Sequence, residues 1–162
     1  MKPHTADMRC DAPAARAMSS VGAVLLMVGL IGCNRGPQVT TSIEFDGNSR
    51  SIATNDVVCT KQLNGGLVIV VKDGAKRTVR VQLTQQGHLV VQKAGLRYDD
   101  MAGFVADPRE VTATKVDDTF NFNGRMPPNP GESQWHTFKI ETTCPGYKDA
   151  LPSTFNPAPG AP

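Results

Sequence analysis

From about residue 42 to residue 143 the apolar side chains fall on alternate positions. Val79, Val81 and Leu83 share one parity; Arg80, Gln82 and Thr84 share the other. Successive side chains of a strand point to opposite faces, so a period of two reads as a strand with one wet face. Turn residues punctuate the runs. Residues 42–45 lead into Asp46-Gly47, 57–63 into Asn64-Gly65-Gly66, 67–72 into Asp73-Gly74, and 78–84 into Gln85-Gln86-Gly87, with 88–93 following. Asn-Gly and Asp-Gly between apolar runs are strong hairpin signals, because their backbones reach positive φ at little cost. Residues 67–71 are apolar on both parities and read as a central strand.

Residues 111–116, 119–122 and 137–143 continue the pattern, with Asp117-Asp118 turning the first into the second. Residues 126–133 hold three prolines, which remove ladder donors, so they read as a long loop. No stretch of ten residues after Cys33 has a helical period. Residues 101–105 admit a single helical turn, limited by Gly103 and Pro108. The expected fold is all-β: an antiparallel sandwich of about seven or eight strands over residues 39–144, since a one-sided sheet must bury its apolar face against another layer.

Ahead of this domain lies a different kind of sequence. Residues 17–33 carry no charge, and Lys2, Arg9 and Arg16 precede them. A basic segment followed by a short apolar run is the pattern of an export signal, and the run is short for a membrane span. Met8 is an alternative start that keeps two of the three basic residues. The run ends in Leu30-Ile31-Gly32-Cys33. This is the form of a bacterial lipobox: an aliphatic residue at −3 and a small one at −1, so that a transferase reaches the thiol and a peptidase reaches the Gly32–Cys33 bond. The expected organisation is therefore a signal peptide over residues 1–32, a lipidated Cys33 with a short tether over 33–38, the sandwich over 39–144, and a Pro-rich disordered tail over 145–162. One acyl chain anchors only marginally, whereas two or three hold stably. The expected location is the extracytoplasmic face of the cell membrane, with the cell surface as the alternative and the lipid as the membrane partner.

Export also sets the redox compartment. Of four cysteines, Cys10 leaves with the signal and Cys33 takes lipid, so Cys59 and Cys144 remain as an even pair. Cys59 shares parity with Val57, and Cys144 shares parity with Phe138, Ile140 and Thr142, so both thiols point toward the core. The expectation is a Cys59–Cys144 disulfide; two free buried thiols are the alternative. Of 17 Lys+Arg and 15 Asp+Glu, three and two fall before Cys33, so the exported part is nearly balanced. That balance argues against a nucleic-acid surface, which clusters Lys and Arg on one face. Lys76-Arg77 with Arg80 is the densest basic spot and reads as a solvated hairpin end.

With these residues in place the chain resembles the 19 kDa lipoprotein antigen family of mycobacteria. The resemblance is carried by the lipobox at Cys33, Ile43-Glu44-Phe45-Asp46-Gly47, Val57-Val58-Cys59-Thr60 before a glycine turn, and residues 138–144, Phe-Lys-Ile-Glu-Thr-Thr-Cys. It implies a β-sandwich surface antigen with one disulfide, without established enzymatic activity, recognised through its acylated N-terminus by the innate receptor pair built on Toll-like receptor 2. The Thr/Ser/Ala/Gly-rich linker of the best-known members is replaced here by a tether of five residues.

Motifs for chemistry are absent from the exported sequence. His88 and His136 have no second His, Cys, Asp or Glu at metal-ligand spacing, so no metal site is expected. Asp99-Asp100 and Asp117-Asp118 read as turn residues, because neighbours on a strand face opposite ways. Gly65-Gly66 lacks the strand–loop–helix setting of a phosphate cradle, and there is no Gly-x-Ser-x-Gly elbow. The expectation is a protein with no catalytic residues and no cofactor, acting in display or adhesion; a carrier of an apolar ligand such as a lipid or glycolipid is the alternative. The loop at 126–133, followed by Trp135, is the expected display surface.

Overall fold

The computed structural model describes residues 36–85 and 87–151. The expected signal segment, the expected cleavage and lipidation site at Gly32–Cys33 and the residues from 152 onward lie outside the described residues. Two sheets build the domain. The first holds β1 (Val39–Phe45), β2 (Asn48–Thr54), β8 (Val111–Val116), β9 (Thr119–Met126) and β10 (His136–Thr143), in the order β2-β1-β10-β9-β8. The second holds β3 (Asp56–Lys61), β4 (Gly66–Asp73), β5 (Arg77–Thr84), β6 (Val90–Tyr98), β7 (Met101–Val105) and β11 (Tyr147–Asp149), in the order β11-β3-β4-β5-β6-β7. All pairings are antiparallel except β11 with β3.

The inward parities are those that the sequence marks. Ile43, Phe45, Ile69, Val71, Val79, Val81, Leu83, Phe120, Phe122 and Ile140 are buried in one core. Between β1 and β10 the buried hydroxyls of Thr41 and Thr142 bond each other at 2.8 Å, so neither polar group is left unpaired. β2 runs across the strands of the second sheet. Thr54 Oγ1 donates to the Lys72 carbonyl of β4, and the Tyr98 hydroxyl of β6 donates to the Ser51 carbonyl. The layers touch closely at Gly103 of β7, where an added Cβ would lie 2.5 Å from Met126 Sδ of β9. Within the first sheet, a Cβ on Gly124 would lie 2.1 Å from the Glu110 carbonyl oxygen just before β8.

Eleven strands replace the seven or eight expected, and three were not legible. β2 is a polar edge strand in which only Ile52 is buried, so it shows no alternation. Residues 101–105 form β7 rather than a helical turn; Gly103 faces the core there because Met126 and Phe45 occupy the space a side chain would need. The ordered chain also continues past Cys144, where a disordered tail was expected. Residues 147–149 pair with β3, and the Ala150 N–H donates to the Lys61 carbonyl. Met126, assigned to the loop, is the buried last residue of β9.

Cys59 and Cys144 form the disulfide, with Cα atoms 5.9 Å apart. It joins β3 of one sheet to the end of β10 in the other across 85 residues. Closing a loop of that length removes about 4–5 kcal/mol of unfolded-chain entropy. A Cys59→Ala/Cys144→Ala variant is therefore expected to lose about that much stability in denaturant titration of the folded domain. Gly124→Ala is expected to cost about 2–3 kcal/mol by the same measurement, because the obstructing atoms belong to backbone.

Candidate functional site

Two surfaces carry organised side chains. The first surrounds the loop at residues 127–135. Asp46 opens the β1–β2 hairpin at φ 49°, followed by Gly47 at φ 77°, as the Asp-Gly signal requires. The same turn aims the Asp46 carboxylate at the start of β10. It accepts the Thr137 N–H at 2.8 Å and lies 2.7 Å from His136 Nδ1. On the other side of the ring, Glu132 lies 2.6 Å from Nε2. The imidazole stacks on Phe45 with centroids 4.9 Å apart, and its side chain is 14% exposed.

This arrangement is a clamp: both ring nitrogens of His136 are engaged by carboxylates on opposite sides. Glu132 also accepts the Asn129 N–H, and Asn129 Nδ2 donates to the Ala102 carbonyl, so the Pro-rich loop is tied to β10, β1 and β7 together. Beside the clamp, Trp135 is half exposed with the Arg125 guanidinium 5.3 Å from its ring centre, and Arg125 is itself paired with Glu110. The sequence had left His136 without partners: Asp46 lies 90 residues away, and Glu132, only four residues before it, sits in the Pro-rich loop and carries no strand or helix signal. His88, by contrast, is exposed at its turn.

Charge follows the clamp. Hydrogen bonds from Asp46 and Glu132 raise the His136 pKa above its ordinary 6.5, outweighing partial burial. For Asp46, desolvation pushes upward, but the bonds from His136 and Thr137 prevail and the net shift is downward from 3.8. The His136 bond, then the Asn129 N–H, lower Glu132 from 4.5.

The second surface is the outward face of the six-stranded sheet. The register brings Val58, Val70, Arg80, Gly95 and Phe104 into one row. Thr60, Val68, Gln82 and Lys93 form the next, and Asp56, Lys72, Thr78, Arg97 and Ala102 the third. Lys148 extends the second row from β11. Five cations thus share a face with one carboxylate, Asp56. Among the described residues none of the five has an ion-pair or hydrogen-bond partner through its side chain. The densest basic spot in the sequence does not form this cluster. Arg77 is taken by Asp73 and Asp99, while Arg80 joins Lys93 and Arg97 across the strands. The outward face of the other sheet is polar and paired, with Lys139 bound to Glu44 and Arg125 to Glu110.

The family model for the Mycobacterium 19 kDa lipoprotein antigen matches residues 34–144. The chain belongs to that family. A comparison with curated proteins returns no match. The matched span begins one residue after Cys33 and ends at Cys144, so β11 lies beyond it. The family is one of lipoprotein antigens, in keeping with a surface antigen. Among the described residues no group of three or more His, Cys, Asp or Glu side chains is placed to hold a metal ion, and no helix is long and apolar enough to cross a membrane. Among the described residues, surface depressions lie on the outward face of each sheet and beside the turn at Gln62, Leu63 and Asn64.

The clamp sets a pH dependence. A raised histidine pKa stabilises the fold fully below about pH 6.5 and loses that contribution as pH rises through the folded value. The lowered carboxylates contribute above about pH 4.5 and are lost as pH falls through theirs. Stability from the clamp is therefore greatest between these limits. In thermal melts His136→Ala is expected to cost about 1–2 kcal/mol near pH 6. It is also expected to flatten the decline that the wild type shows on going to about pH 8.5.

Proposed function

We propose that this chain is exported, cut at Gly32–Cys33 and held by lipid on Cys33 at the outer face of the membrane, where the sandwich is displayed without catalysing a reaction. The observation that carries the reading is the position of the lipobox: Leu30-Ile31-Gly32-Cys33 closes an uncharged run behind basic residues, and the match to a lipoprotein antigen family starts at the next residue. Innate recognition goes through the acylated N-terminus, as the family resemblance implies. The clamped loop with Trp135 offers the folded domain a rigid contact surface for adhesion, since an exposed aromatic ring held in place loses little entropy on binding. Close contact of the layers at Gly103 favours display over carriage of an apolar ligand, because an acyl chain needs space between the sheets.

Metabolic labelling with a clickable fatty acid tests the anchor. Wild-type protein is expected to take up label and to run as the cleaved form. Cys33→Ala is expected to remain an unlabelled precursor and to lose signalling through the Toll-like receptor 2 pair. Label on the Cys33→Ala protein would reject the assignment.

A further inference from the structure

We infer that the outward face of the six-stranded sheet docks on the anionic phospholipid headgroups of the membrane that holds the lipid anchor. The inference rests on lipidation at Cys33 and adds an orientation to it. Charge is its first support. Lys72, Arg80, Lys93, Arg97 and Lys148 project from one face with Asp56 as the sole carboxylate in its rows, and their charges are unpaired among the described residues. On the opposite sheet Lys139 is paired with Glu44 and Arg125 with Glu110, which leaves Arg50 and Lys115, on separate edge strands, without a carboxylate among the described residues. A domain with nearly balanced charge is thereby strongly cationic on one side.

The same face is also apolar. Phe104 is 55% exposed and lies over Gly95, where an added Cβ would approach its ring to 3.3 Å. Arg80, Gln82 and Lys93 line the shallow depression beside that ring, and Val58, Val68 and Val70 floor the strands next to it. Cations around an exposed aromatic ring suit the headgroup layer, with the guanidinium and ammonium groups at phosphates and the ring at the acyl boundary.

Tether geometry is the second support. Asn55 Nδ2 donates to the Gly36 carbonyl at the β2–β3 corner, so the incoming chain is fixed next to Asp56 and Lys72, at the rim of this face. From Cys33 to Gly36 is three residues, a reach of at most about 11 Å. The anchor therefore holds the cationic face at high effective concentration next to headgroups, and weak contacts suffice to orient it. Each cation near an anionic surface favours docking by about fivefold.

Lipidated protein reconstituted into vesicles tests this, with phosphatidylcholine vesicles compared against vesicles of about one-third phosphatidylglycerol. A water-soluble amine reagent reports the exposure of Lys93, and Lys139 on the other sheet serves as control. Lys93 labelling is expected to slow about tenfold on the anionic vesicles only, to recover at about 1 M salt, and to recover in Arg80→Glu/Arg97→Glu. Lys139 labelling is expected to be equal on both vesicles. Protein that floats with both vesicles yet labels equally at Lys93 overturns the docking and leaves the anchor standing. Failure to float with either vesicle overturns the anchor and the docking with it. Protection of Lys93 by a soluble polyanion but not by anionic vesicles assigns the face to another partner and overturns the membrane.

Discussion

The Cys59–Cys144 bond sits where the two layers must be held together. β2 crosses over the second sheet and passes through Asn55 directly into β3, so the chain itself joins the layers at that corner. The disulfide adds a second link, from the middle of β3 to the residue after β10. It also explains β11. A three-residue parallel strand would not hold alone, but Cys144 delivers the chain to the edge of β3, where Tyr147 pairs opposite Cys59. The Tyr147 hydroxyl then donates to Asp118, and burial followed by that bond pushes its pKa up to about 12, so it stays a donor across the physiological range.

Legibility in the sequence followed burial. Strands with one wet face announced themselves: β5 alternates without error, and the Asp-Gly and Asn-Gly turns fall where hairpins form. The cysteine parities pointed to the bond that the fold contains. Edge strands were hidden because little in them is buried. β2 buries Ile52 alone, and β7 places a glycine where periodicity needs an apolar residue. The site residues were hidden for another reason. Asp46 reaches the local Glu132–His136 pair only when β1 meets β10, and Arg80, Lys93 and Arg97 become one patch only through the β5–β6 register. Net charge described the total correctly and its distribution not at all.

These two surfaces divide the labour of an anchored domain. One side of the sandwich collects unpaired cations around an exposed ring next to the incoming tether. Elsewhere, a loop stiffened by prolines is fastened by a histidine between two carboxylates and carries a half-exposed tryptophan. Neither requires a cavity, and the close contact at Gly103 leaves little room for one there. On the proposed reading, the lipid on Cys33 is an attachment, not a cargo.

Intact mass spectrometry of the protein isolated from its producing cells, under native and then denaturing conditions, tests that statement most directly. The account predicts a chain beginning at Cys33 with an acylated glyceryl group on that residue, two hydrogens fewer than the reduced form at Cys59 and Cys144, and the same mass under both conditions. An unmodified Cys33, or a stoichiometric lipid present natively and lost on denaturation, would contradict it.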